Sequence, residues 1–286
     1  MLETLISTEN LHTHLGQENW IIIDCRYGPG RDGGREGYLK GHIPGARYAH
    51  LDDDLAAPHQ PDVTGRHPLP DVKTFGERLG SWGISNDTQV IVYDQGIGGF
   101  AARLWWMLRW VGHDAVAVLD GGWNSWKFGG YEESTTVPVP THAYFEVHPR
   151  PEMLTSLEQL ETNLENPGMQ LVDSRSHERY IGKNEPFDPI AGHIPGAVSL
   201  PFTDNAVNGR FRTSAELRKR FSESLNSESD ETVFYCGSGV TACHNILAWK
   251  HAGLGDASLY VGSWSEWIVG RGRPMNLSEN EDSDNI

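Results

Sequence analysis

The sequence predicts an α/β protein built from two tandem copies of one unit, each a mainly parallel sheet flanked by helices. Three observations carry that reading. Strand-like segments alternate with helix-like ones along the chain, the pattern of a parallel sheet covered by helices. Four landmarks occur twice in the same order, displaced each time by roughly 140–150 residues. The chain has 286 residues, 38% of them hydrophobic, enough for two domains with cores of their own.

The first landmark is a buried strand ending in Asp-x-Arg: residues 18–24 run into Asp24-Cys25-Arg26, and Gln170-Leu171-Val172 runs into Asp173-Ser174-Arg175. The second is Gly-His-Ile-Pro-Gly-Ala, at 41–46 and again at 192–197. Both recur in both copies, so they are expected to anchor the fold. The third pairs the strand Gln89-Val-Ile-Val-Tyr-Asp94 with Thr232-Val-Phe-Tyr-Cys236. Helices are expected over 71–80 and 100–111, the latter carrying Trp105, Trp106 and Trp110. The fourth pairs Asp120-Gly-Gly-Trp123-Asn-Ser-Trp126 with Val261-Gly-Ser-Trp264-Ser-Glu-Trp267, whose tryptophans are expected to close each core. The proline-rich stretch 136–152 reads as a linker between domains at 1–135 and 153–286. The acidic, polar tail from about 276 reads as disordered.

One turn breaks the symmetry of the copies. Thr232 to Tyr235 have the β-branched and aromatic character of a short buried strand, and 241–251 suit a helix with Ala242, Ile246 and Trp249 on one face. Between them lies Cys236-Gly237-Ser238-Gly239-Val240-Thr241. Glycines let successive backbone N–H groups point inward as a cradle, and a helix start adds its positive pole. Both favour an anionic sulfur, which makes Cys236 the candidate nucleophile. The first copy has Asp94 there, followed by Gln95-Gly-Ile-Gly-Gly-Phe100. That loop lacks the Gly-x-Gly-x-x-Gly spacing of a dinucleotide site and reads as scaffold.

Composition excludes several classes. The formal charge is −16 with no basic stripe, which argues against a nucleic-acid partner. No apolar run is long enough to span a bilayer, and residues 1–10 carry no signal or transit pattern. Three cysteines argue against a disulfide framework and for a reducing compartment, so the expected location is the cytoplasm. No Cys/His cluster has metal-ligand spacing. A cysteine phosphatase needs an arginine six residues after its nucleophile, and Ala242 stands there.

The two Gly-His-Ile-Pro-Gly-Ala segments and the loop Cys236-Gly-Ser-Gly-Val-Thr-Ala242 resemble the tandem-domain rhodanese superfamily, 3-mercaptopyruvate sulfurtransferases in particular, over roughly residues 5–275. The resemblance implies two rhodanese-like domains, the first catalytically inactive. It also implies a persulfide on Cys236, held by the loop residues Gly237, Gly239, Val240 and Thr241. Ser238 matches a serine that relays a proton, joined in the family to a histidine and an aspartate for which His67 and Asp54 are the best matches. Arg179 matches the arginine that takes the substrate carboxylate, while Phe187 in Glu185-Pro-Phe-Asp188 stands where a second arginine often lies. Thiosulfate-preferring relatives carry basic residues inside the loop, and this loop has none. The expected donor is therefore 3-mercaptopyruvate, with thiosulfate the alternative and a non-catalytic sensor or binding module a further one. The implied acceptor is cyanide or a thiol such as thioredoxin, with no cofactor. Cys243 and Cys25 are expected to be structural.

Overall fold

The computed structural model describes residues 1–28, 30, 32–164, 168–225, 231–269 and 272–277. They form two compact units. In the first, Leu5–Ile6 (β1), Trp20–Asp24 (β2), Arg47–Tyr48 (β3), Gln89–Tyr93 (β4) and Val116–Leu119 (β5) make a sheet in the order β1-β5-β4-β2-β3. Every neighbouring pair is parallel. The second unit has Met169–Asp173 (β6) and Val198–Ser199 (β7). After an antiparallel hairpin, Ala206–Val207 (β8) and Arg210–Phe211 (β9), come Glu231–Tyr235 (β10) and Ser258–Leu259 (β11). Its sheet runs β11-β10-β6-β7, again parallel. The expected helices are Val72–Ser81, Ala101–Trp110 and Ala242–His251.

The units are not contiguous halves of the chain. Unit 1 holds Met1–Ala57, Leu69–Pro151 and the hairpin Ala206–Phe211, while unit 2 holds Pro58–Pro68, Glu152–Asn205 and the chain from Arg212. Backbone contacts explain the exchange. The hairpin is tied to unit 1 by Phe211 N–H donating to Asp120 at 2.8 Å. In unit 2, Gly65 lies so close to Gly262 that a Cβ on it would come within 2.4 Å of the Gly262 carbonyl oxygen. The stretch 136–152, expected as a linker, is fixed along unit 1 to Pro151. Ala143, His148 and Arg150 donate their N–H groups to the carbonyls of Gly80, Val111 and Trp110. Asn276, where the tail was expected to loosen, forms a bridge with His193; residues 278–286 lie outside the described residues.

Each core is anchored by the same buried device. Arg26 donates to Asp24 through Nε and Nη2, and its Nη2 also reaches Gly41 O at 2.6 Å. Its guanidinium lies 4.6 Å from the Trp123 ring centre. Arg175 repeats this with Asp173, Gly192 O at 2.6 Å and the Trp264 ring at 4.9 Å. Trp264 and Trp267 are fully buried in the unit 2 core, as the sequence predicts.

Candidate active site

Cys236 follows β10 directly and is 2% exposed. The turn after it is pinned to the short helix Ser263–Trp267: Trp264 N–H donates to Cys236 O and Ser265 N–H to Gly237 O, both at 3.0 Å. Cys236 N–H in turn donates to Ser263 Oγ at 3.1 Å. Ser263 holds φ +54°, a left-handed conformation unusual for a residue with a Cβ. Its counterpart in the first copy is Gly122, also at φ +54°. Sequence reasoning passed over Ser263, although the matched motifs carry the signal: serine stands where the other copy needs glycine. Gly239 sits at φ +74°, where a Cβ would come within 2.4 Å of Val261 O. The loop must be glycine there.

Around the sulfur the turn aims donors inward. Burial pushes the Cys236 thiol up, but the Thr241 hydroxyl and the backbone N–H groups of Ser238, Ala242 and Val240 outweigh it and hold the pKa below the ordinary value. Cys25, equally buried, has no such donors among the causes of its shift. Burial and the carboxylates of Asp24, Asp94 and Asp54 push it well above the ordinary value. Cys243 is buried and donates its thiol to Gly239 O at 3.4 Å. All three cysteines are free thiols.

The first copy keeps the cradle and fills it with its own carboxylate. Asp94 Oδ1 accepts from the N–H groups of Gly96 and Gly98 at 2.9 and 3.0 Å, and Oδ2 from those of Phe100 and Ala101 at 2.8 and 3.3 Å. Gly96, Gly98 and Phe100 hold the same places after Asp94 that Ser238, Val240 and Ala242 hold after Cys236. The turn therefore aims backbone N–H groups at the side chain that opens it in both copies, a carboxylate in the first and a thiol in the second.

The depressed thiol makes a prediction. Alkylation of Cys236 by neutral iodoacetamide should fall, as pH drops, along a limb set at a pKa below that of an ordinary thiol. Thr241→Val removes one donor to the sulfur, so it should move that limb up and slow the reaction at neutral pH severalfold. Stopped-flow or quenched alkylation against pH measures both.

Ser238 Oγ and His67 Nδ1 are 2.8 Å apart, so these two predicted residues do meet. Both belong to unit 2, since 58–68 packs there. Asp54 belongs to unit 1. Its Oδ2 accepts from His50 N–H at 2.8 Å and its Oδ1 faces Arg78 Nε at 3.2 Å. Both oxygens thus have partners in unit 1.

Arg179 lies in the short helix His177–Tyr180 with its guanidinium against Gly237. Its Nε donates to both Glu185 oxygens, at 3.1 and 2.9 Å, and its Nη2 reaches Glu185 at 2.8 Å and Asp188 at 3.2 Å. Phe187 is exposed, with its ring centre 5.0 Å from the guanidinium. Arg66 was not singled out in the sequence, yet its side chain also meets Gly237. The signal was its place beside His67. Among the described residues no group of three or more His, Cys, Asp or Glu is placed to hold a metal ion.

Comparison with known proteins agrees with this architecture. The rhodanese-like domain family matches twice, at residues 7–128 and 156–269. The chain is 43% identical over 275 residues to a probable 3-mercaptopyruvate sulfurtransferase of Pseudomonas aeruginosa, covering 95% of this chain and 97% of that one. It is 38% identical over 262 residues to a thiosulfate sulfurtransferase of Mus musculus, covering 89% and 86%. The solved 3-mercaptopyruvate sulfurtransferase of Leishmania major superposes with a TM-score of 0.81 at 31% identity, over 93% of this chain and 74% of that one. Two matched domains and full-length relatives of this kind establish that the chain belongs to the rhodanese family.

Proposed function

We propose that this sulfurtransferase takes sulfur from 3-mercaptopyruvate, carries it as a persulfide on Cys236 and hands it to a thiol or cyanide. The observation that carries the reading is the ring of donors around Cys236 in a loop that bears no cationic side chain. In the first half-reaction the Cys236 thiolate attacks the donor's sulfur. An S–S bond forms, the donor's C–S bond breaks, and its electron pair passes to carbon as the enolate of pyruvate. The proton released from the donor thiol reaches that carbon through Ser238 and His67, so one persulfide anion and one pyruvate result. The loop N–H groups hold the persulfide anion as an oxyanion hole holds oxygen. In the second half-reaction the acceptor attacks the outer sulfur and the Cys236 thiolate leaves.

The relay is assigned to Ser238 and His67, whose Oγ and Nδ1 lie 2.8 Å apart. The first domain is assigned a scaffold role, since Asp94 fills its cradle. Three free cysteines suit a reducing compartment such as the cytoplasm, where thioredoxin or a small thiol would serve as acceptor. No helix among the described residues is long and apolar enough to cross a membrane.

Steady-state transfer to cyanide, with 3-mercaptopyruvate compared to thiosulfate, tests the donor assignment. The expected result is a kcat/KM at least ~10-fold higher for mercaptopyruvate. A preference for thiosulfate would overturn it.

A further inference from the structure

A cavity of about 450 Å³ lies beside β3, the edge strand of the first sheet, and every residue lining it belongs to unit 1. Arg47 and Tyr48 come from β3, and Arg35 and Tyr38 from the helix Gly33–Lys40. Pro138 and Pro140, from the stretch 136–152, form an apolar wall. That wall is held in place: prolines fix their own φ, and Thr136 O lies 3.1 Å from His42 Nε2. The Tyr38 and Tyr48 hydroxyls donate to Ala46 O and Arg26 O at 2.9 and 3.0 Å, so the rings add apolar surface.

Three guanidinium groups line this cavity against two carboxylates, and both carboxylates are engaged. Asp54 pairs with Arg78 Nε at 3.2 Å and accepts from His50 N–H at 2.8 Å, while Asp53 faces His50 Nδ1 at 3.5 Å. Arg35 and Arg47 have no carboxylate or hydrogen-bond partner among the described residues, and Arg47 Nε is buried. The charges of both reach the Tyr38 hydroxyl, so they act on one region. The fold does not require this arginine. Ile23 pairs with Arg47 in the first sheet exactly where Val172 pairs with Val198 in the second. An edge strand can carry a cation to discourage pairing with another chain, but that use keeps the charged group in water. Arg47 buries its Nε instead, in a chain whose formal charge of −16 offers carboxylates in excess.

We propose that this cavity binds a small organic acid, its carboxylate taken by Arg47 with Arg35 beside it and its flat apolar body against the tyrosine rings and the proline wall. A carboxylate supplies the acceptor that Arg47 Nε lacks, in the planar geometry that guanidinium matches. Apolar walls favour an organic body over a bare ion. The first domain thereby gains a ligand beyond its scaffold role, and the inference is independent of the sulfur donor.

The probe is para-trifluoromethylbenzoate, followed by fluorine NMR as it is titrated into protein whose Cys236 has first been alkylated with iodoacetamide. The wild type should give saturable broadening with a Kd of ~1 mM or tighter. Arg47→Gln should weaken binding ~10-fold or more, and Arg35→Gln, at an exposed position, ~3-fold. Sulfur transfer by unalkylated Arg47→Gln should match the wild type, which reads its fold as intact. If Arg47→Gln does not fold, Arg35→Gln and the neutral para-trifluoromethylbenzyl alcohol still decide. The alcohol should bind ~10-fold more weakly than the acid, and ~10 mM inorganic phosphate should not displace the acid. No saturable binding by the wild type, or binding unchanged in both arginine variants, overturns the inference. Equal affinity for the alcohol also overturns it, because the cavity is then only an apolar pocket. Displacement by phosphate overturns the organic-acid assignment in favour of a phosphate site.

Discussion

Cys236→Ser is expected to lower sulfur transfer by ~10⁴-fold or more while leaving the protein folded. The exchange is close to isosteric, and Cys236 packs at the end of a strand whose neighbours it does not alter. Its chemistry is lost for two reasons. A serine hydroxyl, far less acidic than a thiol, is not ionised by the donors that lower the Cys236 pKa, and its oxygen cannot carry transferable sulfur. Neither remaining cysteine can substitute. Cys243 is buried with its thiol on Gly239 O, and burial with nearby carboxylates keeps Cys25 protonated. Cyanide-coupled turnover beside a urea unfolding curve measures both halves of the prediction. Residual activity above a few per cent of wild type, in a folded variant, would move the nucleophile elsewhere.

The second large effect is on stability. Asp173 and Arg175 have fully buried side chains and hold each other at 2.6 Å, with Arg175 also bonded to Gly192 O and facing Glu185 at 3.2 Å. Removing one partner of such a pair leaves an uncompensated charge in the core, which costs about 3–5 kcal/mol. Asp173→Ala should therefore destabilise unit 2 by about that amount and shift its unfolding midpoint down accordingly. Asp173 sits at the end of β6, whose neighbour β10 leads into the Cys236 loop, and Ser174 N–H donates to Tyr235 O at 2.8 Å. Activity should fall with the folded fraction. A change below ~1 kcal/mol by chemical denaturation would contradict the anchoring role.

Repetition made much of the fold legible. Asp24/Arg26 and Asp173/Arg175 recur with the same strand, the same Gly-His-Ile-Pro-Gly-Ala partner and the same tryptophan, and each set folds into the same buried device. The donor-lined turn at Cys236 was legible because its glycines and helix start have few structural reasons to sit beside a cysteine. Segment exchange between the units was not. That 58–68 packs in unit 2 depends on Gly65 lying against Gly262 and on Arg66 N–H reaching Ser265, contacts between residues nearly two hundred positions apart. Local pattern cannot encode them. That the Arg66 side chain meets Gly237 was missed for the same reason. Asp54 was the best match in an acidic run, and only coordinates reveal that its carboxylate contacts His50 N–H and Arg78.

The most direct test of the account is the mass of the protein after one equivalent of 3-mercaptopyruvate, with no acceptor present. The expected result is a gain of one sulfur atom, located by peptide mapping on the fragment bearing Cys236, with one pyruvate released per sulfur and loss of the added mass on adding cyanide. Pyruvate release without added mass, or sulfur on Cys243 or Cys25 instead, would contradict it.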